Sequence, residues 1–131
     1  MSAASHARSV SWFTIVGAVA ALVHYVSAIF FEGCLQISPG NANFFAFLLA
    51  FPVSYIGHHT LSFAGSRQLH RHALPRFLLV ACIGFIGNQV LLLSLLQFTP
   101  LPFWLALAIV MVIVAVSTYL LSRFWAFKQG V

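Results

Sequence analysis

The chain has 131 residues, 62% of them hydrophobic and only 5% charged, with six Lys or Arg against one acid and a net charge of +5. Soluble domains carry about 25% charged residues, so this chain cannot clothe a water-facing surface, and the bilayer is its solvent. The cations stand singly at segment ends rather than in a basic stripe, which argues against nucleic acid as a partner, and the length allows one domain.

Four apolar stretches are predicted to cross about 30 Å of hydrocarbon as helices rising about 1.5 Å per residue. They run roughly over 12–31, 44–63, 77–98 and 103–126. The first exceeds the apolar region of a typical signal peptide, and more spans follow it. Glu32-Gly33 and then Ser38-Pro39-Gly40-Asn41 end it. Pro52 inside the second stretch is expected to kink it or free a carbonyl. "AGSRQLHRHALPR" (64–76) is a polar loop after the second stretch, and "TPLP" (99–102) a tight turn after the third. Cys34 and Cys82 lie at different expected depths, so they read as small unpaired thiols.

With four spans, Arg8, Arg67, Arg71, Arg76, Arg123 and Lys128 all fall on one side and Glu32 on the other. That is the positive-inside pattern, and it places both termini in the cytoplasm. Arg123 is flanked by Phe124, Trp125 and Phe127, with Lys128 after them. It can snorkel to the cytoplasmic interface while the rings hold headgroup level.

Positions 64 apart repeat: Phe13/Phe77, Val16/Val80, Gly17/Ala81, Ala20/Gly84, His24/Asn88, Ala42/Ala106, Ser54/Thr118, Tyr55/Tyr119 and Phe63/Phe127, with His59 falling on Arg123. The expected fold is therefore all-α, with four transmembrane helices as two tandem parallel two-helix repeats, about 12–63 and 76–127. Gly17, Ala20 and His24 make one helical stripe, which Ala81, Gly84 and Asn88 repeat. Small residues of this kind are expected to let helices approach closely, with the polar residue paired inside the bundle. A second stripe is Tyr55, His59 and Ser62, matched by Tyr119, Arg123 and Ala126.

The doubled segments "SYIGHHTLSF" (54–63) and "TYLLSRFWAF" (118–127) carry a family signature. With "FTIVGAVAALVHYV" (13–26), "NANFFAF" (41–47) and "RFLLVACIGFIGN" (76–88), they resemble the GtrA-like family of four-span bacterial membrane proteins over nearly the whole chain. The resemblance implies an inner-membrane role in cell-surface polysaccharide modification. The expected function is flipping of a polyprenyl-phosphate-linked sugar from the cytoplasmic to the periplasmic leaflet. A membrane glycosyltransferase would make that lipid. One departure stands out. The family commonly has Asn-x-Arg/Lys in the first copy, where this chain has His58, His59 and Thr60, so only Arg123 keeps the permanent cation.

Hydrocarbon gives a phosphate no counter-charge and a sugar no hydrogen bonds, whereas an isoprenoid tail can stay in lipid. A flippase must then offer a cation at the cytoplasmic face and a polar track open sideways. Arg123, Lys128, Arg76 and His59 are the candidates for the lipid phosphate, Arg123 first because its planar fork makes two parallel bonds. His24, Asn88, Gln89, Tyr55, Tyr119, His58 and Trp125 are the candidates for the polar track. No cofactor or metal is called for: His58 and His59 are adjacent on a helix and diverge by about 100°. Four short spans enclose little space, so a homodimer or higher oligomer is expected. Two other functions fit the composition. One is a non-transporting anchor for a glycosyltransferase. The other is a small proton-coupled exporter, which would want an acid in mid-span where this chain has only Glu32, at a span's end.

Overall fold

The computed structural model describes residues 3–62 and 70–121, and these are helical apart from two short connections. Helix α1 spans Ala3–Gly33, α2 Pro39–Gly57, α3 His70–Phe98 and α4 Phe103–Leu121; a π-helical turn, His58–Ser62, prolongs α2. Val10–Gly33, Pro39–Leu61 and Pro75–Phe98 are long and apolar enough to cross a bilayer, and Phe103–Thr118 is a shorter apolar helix. The chain is a multi-pass, all-α membrane protein. The end of the bundle that carries residues 34–38 and 99–102 is called the loop end below, and the other the termini end.

Local chemistry moves several helix boundaries away from those the hydropathy predicts. Helix α1 begins at Ala3, well before position 12, because Ala3, Ala4 and Ala7 favour helix. Helix α2 begins at Pro39 rather than near Phe44. Proline suits the first helical turn, where its missing N–H leaves no bond unmade, and the Ala42 N–H donates to Ser38 O at 2.8 Å. The Ser38–Asn41 break is thus a helix start, and it carries Asn43 into the span. Helix α3 begins at His70, so the expected polar loop is helical from there, with Pro75 inside. At the end of α1, Gln36 takes a left-handed φ of 57°, and its side-chain Nε2 donates to Gly33 O at 2.9 Å.

The two ends of the bundle are packed differently. At the loop end Ala28, Ala42, Ala46, Leu92, Phe103, Ala106, Leu107 and Val110 form one core to which all four helices contribute. At the termini end the buried residues, among those described, are Val16, Ala20, Ala50, Tyr55 and His58, all from α1 and α2 and the turn. Beyond Met111 the described side chains of α4 are exposed, apart from half-buried Val114. Helix α3 there exposes Leu78, Leu79, Val80 and Ile83 and returns to α2 through the Phe77 ring, 5.7 Å from Phe51 and 5.6 Å from Tyr55.

The close helix contact expected at Gly17 and Gly84 is found elsewhere. A Cβ on either would meet nothing within 4 Å, whereas one on Gly57 would lie 2.6 Å from Val16 Cγ1. Gly57 is what lets α1 and α2 close on each other at the termini end.

Candidate functional site

A polar knot ties three helices together just beneath the loop-end core. His24 Nε2 meets Asn43 Oδ1 at 2.7 Å. Asn43 Nδ2 donates to Asn88 Oδ1 and to Gln89 Oε1, each at 2.7 Å. Gln89 Nε2 donates to the Gly40 carbonyl at 2.9 Å. His24, Asn43 and Asn88 are all buried, Asn43 completely.

One backbone atom fixes the polarity of this chain of bonds. A carbonyl only accepts, so the Gly40 oxygen must face the Gln89 amide nitrogen. The Gln89 oxygen then faces Asn43, which must present its nitrogen there. The Asn43 oxygen is left for His24, so His24 carries its proton on Nε2. Gly40 also makes room, because a Cβ at that position would press to 3.3 Å from the Gln89 nitrogen. Both amide protons of Asn43 are used inside the knot. In low dielectric such a closed network is worth keeping, since an unpaired amide there costs about 1–3 kcal/mol.

Below the knot lies a cavity of about 300 Å³. Helix α1 lines it with Ala20, Ala21 and His24, and α2 with Phe47, Ala50, Phe51 and Ser54. Helix α3 adds Phe77, Val80 and Ala81, and α4 touches it through Met111. Of the lining residues Ala21 and Val80 are exposed, so the rim runs between α1 and α3, on the side where α4 beyond Met111 is uncovered. An aromatic ladder follows the α2 wall: Phe47 stacks on Phe85 at 4.6 Å, Phe51 lies 6.3 Å from Tyr55, and His58 sits 4.6 Å from Phe13 and 5.9 Å from Phe77.

The structure divides the five described track candidates into two groups. His24, Asn88 and Gln89 come together in the knot. Tyr55 and His58 lie at the termini end of α2, and Tyr55 stands about 18 Å along the helix from Asn43 at 1.5 Å per residue. They belong to the aromatic ladder. His59 is half-buried with its ring 5.6 Å from that of Tyr55, and Arg76 is exposed beside Phe77. Tyr119 falls on α4 with its side chain outside the described residues; Arg123, Trp125 and Lys128 lie outside them entirely. Trp104 is exposed at the loop end, where the Tyr25 hydroxyl donates to its carbonyl at 2.9 Å and joins α1 to α4. The residue that sequence reasoning missed is Asn43, hub of the knot. Its signal was the buried stripe Asn43, Ala46, Ala50, which appears once the helix is started at Pro39.

The match to known proteins covers this whole arrangement. The family model described as GtrA/DPMS, transmembrane domain, matches residues 12–127. The chain belongs to that family. No curated protein and no solved structure matches it. The GtrA/DPMS family is one of membrane proteins that handle sugars linked to a glycosyl carrier lipid. The matched range contains the knot, the cavity and every candidate residue except Lys128.

Proposed function

We propose that this GtrA/DPMS protein flips a polyprenyl-phosphate-linked sugar from the cytoplasmic to the periplasmic leaflet of a bacterial inner membrane, for surface polysaccharide glycosylation of the O-antigen type. The observation that carries the reading is the unequal closure of the bundle. The loop end is sealed by a four-helix core and the polar knot. The termini end, which carries the described cations Arg8 and Arg76, leaves a cavity open sideways between α1 and α3. A single-chain lipid anion approaching from the cytoplasmic leaflet meets positive charge first and an opening next. Both termini are cytoplasmic in this reading, and the open end faces the cytoplasm.

Transport then requires the knot to part. His24, Asn43, Asn88 and Gln89 are the polar groups that can take up sugar hydroxyls in exchange for one another. Arg123, Lys128, Arg76 and His59 hold the phosphate on the cytoplasmic side, with Tyr55, Tyr119, His58 and Trp125 along the way. The chain performs no chemistry of its own. A membrane glycosyltransferase supplies the lipid, and a homodimer or higher oligomer completes the path.

The tandem repeat belongs to the same proposal. Residues 64 apart share their burial at the loop end, as in Ala28/Leu92, Ala42/Ala106, Asn43/Leu107, Ala46/Val110 and His24/Asn88. His24 and Asn88, one from each copy, both bond to Asn43.

The test is reconstitution of the purified protein in vesicles with a labelled polyprenyl-phosphate sugar in the outer leaflet. Wild type is compared with Arg123→Ala and His24→Leu. Transfer by wild type that is lost in both variants is the expected result. A folded wild type that moves no lipid sinks the flippase reading and favours the anchor.

A further inference from the structure

We propose that the cavity holds the head-proximal stretch of the prenyl chain, not the sugar, with the lipid phosphate at the rim beside Arg76. The inference rests on the flippase reading for the identity of the lipid, and it departs from the expectation that the tail stays outside in the bilayer.

The chemistry of the walls decides between tail and sugar. A sugar entering this cavity finds two polar side chains, His24 and Ser54. The amides above it bond to one another in the knot, where Asn43 spends both its amide protons, so most of the hydroxyls would lie unpaired in low dielectric. An apolar chain meets no such penalty. It finds the ring faces of Phe47, Phe51 and Phe77 and the adaptable thioether of Met111.

Size and charge narrow the occupant further. At about 300 Å³ the cavity is at the small end of ligand pockets, which admits one chain and rejects a two-tailed phospholipid. Ala20, Ala50 and Ala81 leave recesses between the larger side chains. A methyl-branched, unsaturated chain fills such recesses, while a straight alkyl chain leaves gaps and loses their contacts. Arg76 is exposed and stands one helical turn before Val80, on the same face of α3, and Val80 is at the cavity's rim. A chain that leaves the cavity past Val80 therefore brings its anionic end to the face that carries the guanidinium. The cavity thereby grips the lipid next to its head and leaves the sugar at the interface until the knot opens.

Cysteine protection tests this without any transport. Ala81→Cys is placed in a background lacking Cys34 and Cys82, with Ser54→Cys as a second reporter should the first fold poorly. The rate of maleimide labelling is followed on the full chain in nanodiscs. Farnesyl phosphate at ten times its Kd is expected to slow labelling about tenfold, and farnesol to do so at higher concentration. Inorganic phosphate and glucose 1-phosphate are expected to leave the rate unchanged. Arg76→Ala should bring farnesyl phosphate down to the potency of farnesol, and Ala50→Phe should remove protection by both. Protection by glucose 1-phosphate, or none by either prenyl probe, overturns the inference. Dodecyl phosphate acting as strongly as farnesyl phosphate overturns the assignment of a branched chain. The two proposals fail separately. Vesicle transfer without prenyl protection sinks the cavity assignment alone, and prenyl protection without transfer sinks the flippase alone.

Discussion

The loop end and the termini end of this bundle are built from equally apolar residues, yet only the loop end is packed by all four helices. At the loop end Leu92, Leu107 and Val110 are fully buried among alanines from α1, α2 and α4. At the termini end Val80, Ile83, Val112 and Val116 stand more than half uncovered. In water such exposure would be a large penalty. In lipid it is nearly free, because hydrocarbon solvates a valine as well as a helix neighbour does. What separates the ends is therefore shape and polarity rather than hydrophobicity. Small residues on α2 admit the neighbouring helices, and the His24–Asn43–Asn88–Gln89 knot has nowhere else to put its hydrogen bonds.

That contrast is broken most directly at Leu107. Its truncation to Ala opens a void inside the loop-end core, and destabilisation of about 3 kcal/mol is expected. Reversible unfolding in mixed micelles with rising SDS reads it out. Val116→Ala, at the open end, is expected to stay within about 0.5 kcal/mol of wild type. Equal losses at the two sites would mean that α4 is packed along its whole length, contrary to the difference on which the open cavity depends.

Asn43→Ala comes next. It removes one partner each from His24, Asn88 and Gln89, and destabilisation of about 2 kcal/mol is expected, within the range for buried groups left unpaired. Asn43→Leu copies the residue found 64 positions later, Leu107. It fills the space but cannot satisfy the neighbours, so it should remain less stable than wild type. A fully stable Asn43→Leu would show that the knot does not tie the helices.

The sequence makes part of this architecture legible, and solvent physics explains the remainder. Hydropathy finds the four apolar segments, and proline marks the 99–102 turn, since both signals are local. His24, Asn88 and Gln89 stand out because a polar side chain amid apolar ones must be paired. Asn43 escapes notice because hydropathy rises only at Phe44, and Pro39-Gly40 reads as a break rather than as a first turn. The open end was not legible at all. In a bilayer protein the lipid-facing and core-facing residues are the same types, so periodicity carries little contrast between them. For the same reason the small-residue stripes hold only in part: Ala20, His24 and Asn88 are buried, whereas Gly17 and Gly84 promise a helix contact by type and Gly57 makes one by geometry.

The glycines sharpen the comparison at smaller scale. Gly57→Ala would put a methyl 2.6 Å from Val16 Cγ1. Valine in a helix has almost no rotamer freedom with which to yield, so overpacking of about 1–2 kcal/mol is expected. Val16→Ala should return most of it, since the double variant restores the gap. Failure of that rescue would place the cost in the backbone of the π-helical turn that begins one residue later.

Gly84→Ala carries the smallest effect and the opposite sign. Nothing lies within 4 Å of the position a Cβ would take, and the residue is exposed in mid-helix. An alanine there has no neighbour to displace, and it removes the conformational freedom that glycine gives the unfolded chain, so a gain of about 0.5–1 kcal/mol is expected. Gly84 stands where Ala20 stands in the other half, and Ala20 is buried against α2 while Gly84 faces outward. The measurement therefore asks whether the second half uses its small residue at all. A loss of stability in place of the gain would reveal a helix pressed against Gly84, and with only lipid or a second copy of the chain available on that face, it would locate the oligomer contact on α3.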